Sequence, residues 1–286
     1  MHASDFPDRS WDEKNVERGN LHWMGWHPFI AGMYDCLTDS RNLYLLQELG
    51  PLGSLDAYID SHGPLAAPVA QFYFSNIVVA LEHLASLHLV HGDIKPGNIV
   101  LGGTGYLMLA DFGLASRWDE PRDWEHVGTP NYMSPEIGRG CFRPHALQAL
   151  DWWSAACVLY EMATGRMVFD VPAHDPERFP DDAAVFEDVG RRVLAAHYYW
   201  PNADTVDPRL KRFVDEMLTW HFDQRLGTSC VKLEKTGKVV NLEIRRHAWF
   251  EGFPWEDIEN RTYAVSTSLA HILTDSDSYI GTVRPP

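Results

Sequence analysis

Two short stretches of this chain carry residue types that could transfer a phosphoryl group. They are HGDIKPGN, residues 91–98, and DFG, residues 111–113. In the first, an acid is followed by a lysine two residues later and an amide five residues later; a second acid comes thirteen residues after the amide. Phosphoryl transfer needs an acid that orients the attacking hydroxyl, a cation near the phosphate and oxygen ligands for Mg²⁺. The two stretches at this spacing predict that chemistry more specifically than either alone.

The composition is that of an ordinary globular protein, with 286 residues, 45% of them apolar and 22% charged. Asp and Glu number 40 against 24 Lys and Arg, which gives a formal net charge of −16. Because phosphates repel such a surface, we expect no nucleic acid and no membrane among the partners. The charge would favour basic partners, and it also serves solubility on its own.

The cysteines and the N-terminal residues indicate an intracellular, cytoplasmic protein. Cys36, Cys141, Cys157 and Cys230 form no CxxC pair and show no metal-ligand spacing, and Cys157 lies in an apolar run that predicts a buried thiol. The N-terminus has no basic segment followed by an apolar one, and no apolar run reaches membrane-spanning length. The oligomeric state is not predicted.

Apolar periodicity predicts a mostly helical chain with one early hairpin and two further short strands. Ser10 and Glu13 form a capping-box pattern that would start a helix running to about Met24. Apolar runs at 29–36 and 43–49 flank a polar turn and predict a hairpin. The other predicted strands are at 99–101 and 106–110, and the other predicted helices are at 55–61, with Ser54 as its cap, 68–88, 149–164, 185–196, 208–219 and 243–248.

The remaining segments are predicted to be irregular. Residues 111–136 form a loop whose length is typical of a functional segment, and residues 170–188 are acidic and proline-rich. Residues 255–286 are expected to be a flexible tail. His91 is expected to pack in the core, as are the tryptophans Trp11, Trp23, Trp26, Trp152 and Trp153.

Five motifs in order make the chain resemble a eukaryotic serine/threonine protein kinase, specifically the catalytic domain of the AGC group. They are HGDIKPGN, DFG, GTPNYMSPE (128–136), DWWS (151–154) and DQRLG (223–227). The hairpin sequence HPFIAGMYDCLTDSRNLYLLQEL and the late HAWF (247–250) favour the AGC group. The match runs from about Glu17 to Phe250.

The resemblance implies a role for each residue of the motifs. Asp93 would orient the substrate hydroxyl and accept its proton, Lys95 would contact the γ-phosphate, and Thr129 would brace both. Asn98 and Asp111 would bind Mg²⁺, which prefers oxygen ligands. Lys95 and the GTPNY segment resemble those of enzymes that phosphorylate serine and threonine rather than tyrosine.

The resemblance also implies ATP and Mg²⁺ as cofactors and a protein as substrate. Asp151 would anchor the backbone of the catalytic loop, and Glu136 would pair with Arg225 in the interior. The residues expected to contact ATP are Glu48, Gly50, Lys95, Asn98, Val100 and Asp111.

The implied fold class is α+β, a protein-kinase-like fold with a mostly helical large lobe. Residues 1–50 would form a truncated small lobe of one helix and a two-stranded hairpin. Residues 51–254 would form the large lobe, and residues 255–286 the tail.

The sequence departs from the family pattern where ATP should be gripped. Upstream of the first matched helix there is no G-x-G-x-x-G and no strand carrying a lysine, although Glu17 stands at the position of the glutamate that pairs with that lysine. We therefore expect weak nucleotide binding and slow or absent turnover.

Two further departures concern regulation and substrate choice. Gly92 stands where most of the family has an arginine that binds a phosphate in the activation segment, and Glu125 stands at the matching phosphorylation site. We therefore hypothesise that phosphorylation does not control this segment in the usual way. Ser54 and Gly97 replace acids that bind substrate arginine in many AGC kinases, whereas Glu161 is retained, so a preference for basic substrates stays open.

Three alternatives stay open beside an active kinase. The fold could serve as a pseudokinase scaffold that binds without turnover. It could be a small-molecule phosphotransferase of the aminoglycoside or choline kinase type, which Lys95, DFG, GTPNYMSPE and DWWS disfavour. The chain could also be part of a longer, active kinase.

Overall fold

The computed structural model describes residues 9–118, 128–137, 147–169, 188, 191–193, 198–201 and 206–263, with side chains described from residue 16 onward. The helices are α1 Arg9–Met24, α2 Leu55–His62, α3 Ala67–Ser86, α4 Gln148–Thr164, α5 Pro208–Met217, α6 Leu242–Arg246 and α7 Trp255–Glu259. The strands are β1 Met33–Thr38, β2 Leu43–Gln47, β3 Leu89–Val90, β4 Ile99–Leu101, β5 Leu107–Leu109, β6 Ser116–Arg117, β7 Val231–Lys232 and β8 Val239–Val240. Single 3₁₀ turns lie at Pro96–Asn98, Pro130–Tyr132 and Ala248–Phe250. This mixture confirms the predicted α+β class.

The predicted early hairpin is confirmed, but its first strand is shorter than expected. Strand β1 pairs with β2 in an antiparallel register that is interrupted by a bulge between Met33 and Asp35. Residues 29–31 leave the hairpin and bind β5 instead: Ala31 N donates to Leu109 O at 2.8 Å, and Leu109 N donates to Phe29 O at 2.9 Å. These three residues are buried, so the apolar run that predicted a longer strand anchors the hairpin on the rest of the fold.

Helices α3 and α4 form the centre of the helical part of the fold. Fourteen residues of each helix are buried, because a helix that is apolar on every side must be surrounded by other elements. Trp152 and Trp153 of α4 are buried as predicted, as is the thiol of Cys157. The predicted helices over the described residues agree with the observed ones to within about two residues at each end, the usual uncertainty of helix boundaries.

The predicted pair between Glu136 and Arg225 is confirmed and lies under α4. Arg225 Nη1 contacts Glu136 Oε1 at 2.6 Å, and Arg225 Nη2 contacts Glu136 Oε2 at 2.9 Å. Nη1 also donates to Ala149 O at 2.7 Å, and the guanidinium lies 4.8 Å from the centre of the Trp153 ring. The pair therefore ties the end of the GTPNYMSPE segment to the DQRLG segment.

Several expectations were wrong. Helix α1 begins at Arg9, one residue before the predicted cap Ser10. Trp23 and Trp26 are not core residues, since 45% and 59% of their surfaces are exposed; a two-strand hairpin offers too little area to cover them. Ser54 does precede α2, but its side chain makes no capping hydrogen bond.

The C-terminal part of the described chain also differs from the expectation. Residues 255–259 form α7, and the ring of Tyr263 stacks on Phe72 of α3 at 5.5 Å, where a flexible tail was predicted. The short hairpin of β7 and β8 was not predicted.

Some predictions lie outside the described residues. They concern Trp11, Glu125, Cys141, most of the acidic segment 170–188, most of the helix at 185–196 and the tail from 264 onward. Within the described part of the chain, no helix is both long enough and apolar enough to cross a membrane.

Candidate active site

The start of the HGDIKPGN stretch is held through its backbone by a side chain of α4. Asp151 of α4 accepts hydrogen bonds from His91 N at 2.8 Å and from Gly92 N at 3.0 Å. Burial raises the pKa of Asp151, while the nearby His91 and the two amide bonds oppose that rise. The His91 ring is fully buried against Phe112, 4.7 Å away, and its Nε2 lies 3.1 Å from Ala110 O. The predicted anchoring by Asp151 and the predicted burial of His91 are both confirmed.

Asp93 lies at the centre of a compact polar cluster. Its Oδ1 accepts a hydrogen bond from Thr129 Oγ1 at 2.8 Å, and its Oδ2 accepts one from Asn98 Nδ2 at 2.9 Å. Lys95 Nζ lies 2.8 Å from Asp93 Oδ2 and also donates to Thr129 Oγ1 at 2.8 Å. The structure thus brings together the four predicted residues Asp93, Lys95, Asn98 and Thr129, and it confirms that Thr129 contacts both the acid and the lysine.

The electrostatics of the cluster keep Asp93 ionised. Burial by itself would raise the pKa of Asp93, but hydrogen bonds from Lys95 and Thr129, together with the positive charge of Lys95, outweigh it and hold the pKa below its usual value. A carboxylate of this kind is a weak base with a fixed orientation. It suits the positioning of a hydroxyl group better than the early removal of its proton.

Asp111 follows the cluster in a backbone conformation that few residues adopt. Its φ is +61°, in the left-handed region that is uncommon for residues other than glycine. Such strain concentrates at functional sites and is held by surrounding contacts. The backbone N of the preceding Ala110 donates to Asn98 O at 2.9 Å, which places the two predicted metal ligands on adjoining segments.

The donor set at Asn98 and Asp111 fits Mg²⁺. It consists of one amide oxygen and one exposed carboxylate, and Mg²⁺ is usually bound by one or two carboxylates together with phosphate and water oxygens. Over the described ranges, no group of three or more His, Cys, Asp or Glu side chains is placed to hold a metal ion. A nucleotide phosphate would supply the missing oxygens.

The residues predicted to contact the adenine form a second group. The backbone of Gly50 lies so close to β4 that a Cβ at this position would stand 2.6 Å from Val100 Cβ, so a glycine is required there. Glu48 N donates to Gly32 O at 2.7 Å, which holds the end of β2 against the segment before β1. Among the described residues, no hydrogen bond or ion pair links Glu48, Gly50 or Val100 to the Asp93 cluster.

Two polar residues of the site were missed by the sequence analysis. Gln47 Nε2 donates to Glu17 Oε1 at 2.7 Å, so a neutral amide of β2 binds the helix glutamate. Asn20 Nδ2 donates to Phe112 O at 3.2 Å and to Ala115 O at 2.9 Å. The only sequence signal for either was its position: Gln47 directly precedes Glu48, and Asn20 lies one helical turn after Glu17.

Gly92 and Gly128 meet backbone to backbone. Both have positive φ angles, +79° and +102°, and a Cβ on Gly128 would stand 2.7 Å from Gly92 O. The segment that carries Thr129 therefore reaches the catalytic loop only because residue 128 has no side chain. Gly92 stands where most of the family has an arginine, and as a glycine it adopts the left-handed backbone conformation of this position without strain.

A helical lobe joined to a small hairpin, with an acid, lysine, amide and threonine cluster beside a D-F-G turn, defines a protein kinase domain. The family model described as the protein kinase domain matches residues 5–249, and the chain belongs to that family. The expected resemblance to the AGC group is confirmed, because the relatives include catalytic subunits of cAMP-dependent protein kinases.

Three of these relatives show the extent of the likeness. The chain is 32% identical over 235 residues to the mouse cAMP-dependent protein kinase catalytic subunit PRKX, covering 82% of this chain and 59% of the relative. It is 30% identical over 235 residues to the Drosophila melanogaster cAMP-dependent protein kinase catalytic subunit 3, covering 82% of this chain and 36% of the relative. It is 32% identical over 265 residues to the cGMP-dependent protein kinase of Toxoplasma gondii, covering 89% of this chain and 24% of the relative. The matched region thus spans less than two thirds of each of these relatives.

Proposed function

We propose that this chain transfers the γ-phosphoryl group of ATP to serine or threonine hydroxyls of a protein. The observation that carries the proposal is the Asp93 cluster, in which three side chains hold the carboxylate at 2.8 to 2.9 Å. Such preorganisation matters because phosphoryl transfer depends on positioning and on charge stabilisation rather than on covalent chemistry by the protein.

Asp93 orients the substrate hydroxyl toward the phosphate and receives its proton as the new bond to phosphorus forms. The side chain of Lys95 is 30% exposed, so its ammonium could reach a phosphate oxygen by turning away from Asp93. Thr129 bonds to both residues. It keeps the carboxylate in place when the lysine moves.

Asn98 and Asp111 would bind Mg²⁺ together with the ATP phosphates. The bound metal ion would neutralise phosphate charge, which lowers the repulsion met by the incoming hydroxyl oxygen. Glu48, Gly50 and Val100 would line the adenine side of the nucleotide.

We further propose that the protein substrate is basic near its acceptor hydroxyl. Glu161 is buried beside the GTPNYMSPE segment and accepts a hydrogen bond from Tyr132 Oη at 2.6 Å. Asp56 Oδ2 stands 3.2 Å from the point that a Cβ of Gly97 would occupy. A carboxylate therefore stands beside Gly97 although the residue itself has none, and both charges would attract cationic side chains near the acceptor hydroxyl.

A peptide phosphorylation assay with Mg-ATP tests the proposal. Asp93→Asn keeps the size of the side chain but removes the proton acceptor, and we expect a loss of at least about a hundredfold, the usual contribution of general-base catalysis. Asp60→Asn, an exposed acid of α2, is the matched control and should leave the rate unchanged. Equal rates for wild type and Asp93→Asn would contradict the proposal.

A binding module without turnover is the second candidate, favoured by the contact between Glu17 and Gln47. The amide of Gln47 is neutral, so this contact adds no positive charge to the nucleotide site. Calorimetry with Mg-ATP, combined with the peptide assay, separates the two candidates. Micromolar affinity for Mg-ATP with brisk transfer identifies the enzyme. Binding of a partner with no transfer in any variant identifies the module.

A further inference from the structure

Helix α1 contacts the D-F-G region through one series of side chains. At intervals of three residues, Glu17 meets Gln47 of β2, Asn20 meets the turn after Asp111, and the ring of Trp23 lies 4.9 Å from the guanidinium of Arg117 in β6. Residues three apart lie on neighbouring parts of a helix surface. The helix therefore joins the hairpin to the segment that starts at the metal-ligand position.

Asn20 makes the most directional of these contacts. Its single amide nitrogen donates to two carbonyls, Phe112 O and Ala115 O, while Ala115 N donates to Phe112 O at 3.2 Å. The amide thus closes the turn of residues 112–115 from outside. Loss of such a donor destabilises a half-buried carbonyl when water cannot replace it.

The turn held by Asn20 begins at the strained residue of the site. Asp111 has a φ of +61°, and a strained backbone of this kind persists only where surrounding contacts hold it. Phe112 fixes the turn through its buried ring, but a ring in a core does not fix the direction of the backbone carbonyls. The two hydrogen bonds from Asn20 fix the direction of the carbonyls of Phe112 and Ala115.

We propose that Asn20 is a positioning residue for Asp111: its amide holds the 112–115 turn and thereby keeps the Asp111 carboxylate in the orientation that binds the metal ion. The link from Asn20 to metal binding by Asp111 rests on the proposed kinase function. It also gives the D-F-G turn a support that depends on helix α1 and not on a phosphate.

Hydrogen exchange on the whole chain tests the contact without requiring activity. Asn20→Leu keeps the size and removes the amide, and Arg18→Leu, at an exposed position of the same helix, is the matched control. We expect backbone amides of residues 112–117 to exchange about tenfold faster in Asn20→Leu, as for the loss of one or two hydrogen bonds. The exchange rates of the backbone amides in α3 should not change in Asn20→Leu. Arg18→Leu should leave the exchange rates in both regions at their wild-type values.

Two results would overturn the proposal. One is unchanged exchange at 112–117, and the other is an equal increase at 112–117 and in α3, which marks a general loss of stability. Asn20→Gln, which restores an amide on a longer side chain, should recover at least half of the protection on a logarithmic scale; no recovery also counts against the proposal.

The metal dependence of activity is the second readout. The Mg²⁺ concentration that gives half of the maximal rate should rise about five- to tenfold in Asn20→Leu, with the rate at saturating Mg²⁺ within about twofold of wild type. Faster local exchange with an unchanged Mg²⁺ requirement would refute the link to Asp111. Wild-type protein that transfers no phosphate defeats the proposed function alone, and the exchange comparison still decides whether Asn20 holds the turn.

Discussion

Replacing Glu136 by glutamine should be among the most damaging single changes in the described structure. The substitution keeps the shape of the side chain and removes its charge, which leaves the guanidinium of Arg225 buried with 1% of its surface exposed. Arg225 would retain the carbonyls of Ala149 at 2.7 Å, Thr219 at 3.1 Å and Trp220 at 3.5 Å, and the face of Trp153. None of these carries a full negative charge.

The magnitude follows from that list of contacts. Removing one partner of a buried ion pair costs about 3–5 kcal/mol because the other charge stays behind. Since three carbonyls and an aromatic face remain and glutamine can still accept one hydrogen bond, we expect the lower end, about 3 kcal/mol. This is a large part of the ~5–15 kcal/mol that stabilises a typical domain.

Urea unfolding followed by tryptophan fluorescence measures the effect. With a slope of about 3 kcal/mol per molar urea, the midpoint should fall by about 1 M. The double variant Glu136→Leu with Arg225→Met removes both charges and should be more stable than Glu136→Gln. A single variant within about 0.5 kcal/mol of wild type, or a double variant less stable than the single one, would refute the argument.

Three further predictions follow from the site and its surroundings. Thr129→Val removes the hydrogen bonds to Asp93 and Lys95 without changing size, and should lower the peptide phosphorylation rate about 10–100-fold, as for a loss of ~1.5–3 kcal/mol; an unchanged rate would show that the bonds are incidental. Asp111→Asn should raise the Mg²⁺ concentration needed for ATP binding, measured by calorimetry at several Mg²⁺ concentrations, with little change in urea stability, because the side chain is exposed; equal Mg²⁺ requirements would argue against its role as a ligand. Burial and the stacked ring of His83, 4.1 Å away, lower the pKa of His27 to about 3. Because the unfolded chain takes up that proton first, the free energy of unfolding should fall as the pH drops from about 6.5 toward 3, by at most about 1.4 kcal/mol per pH unit for this group. His27→Gln should flatten the pH dependence of the urea midpoint, and identical slopes for the two proteins would exclude the histidine as the cause.

The catalytic cluster could be predicted from the sequence because its geometry is local. Asp93, Lys95 and Asn98 lie within six residues of one another, and a 3₁₀ turn at Pro96–Asn98 brings the amide back onto the acid. Thr129 is distant along the chain, and only the family motif placed it. The long buried helices were predicted for a related reason, since periodic apolar residues specify a helix without reference to its neighbours.

The missed contacts depend on tertiary packing. The amide of Asn20 meets carbonyls more than ninety residues away, and a carbonyl has no sequence signature, so no pattern of residue types could predict that bond. The exposure of Trp23 and Trp26 was missed because composition predicts burial from residue type and cannot predict how much surface a short hairpin covers. Helix α7 was missed because five residues are too few to show a period.

The role of Gly92 illustrates how the structure changes an interpretation of sequence. As a sequence feature, the glycine marks the loss of an arginine that would bind a phosphate. In the fold, its amide donates to Asp151 and its carbonyl is in close contact with Gly128, next to the threonine that binds Asp93. The orientation of Asp93 therefore derives from α4, from the glycine contact and from the side chains of Thr129, Asn98 and Lys95. Each of these supports is a group already present in the described chain. These contacts hold the described part of the catalytic loop without a phosphate group, whereas the hypothesis that phosphorylation does not control the segment stays a prediction, since Glu125 lies outside the described residues.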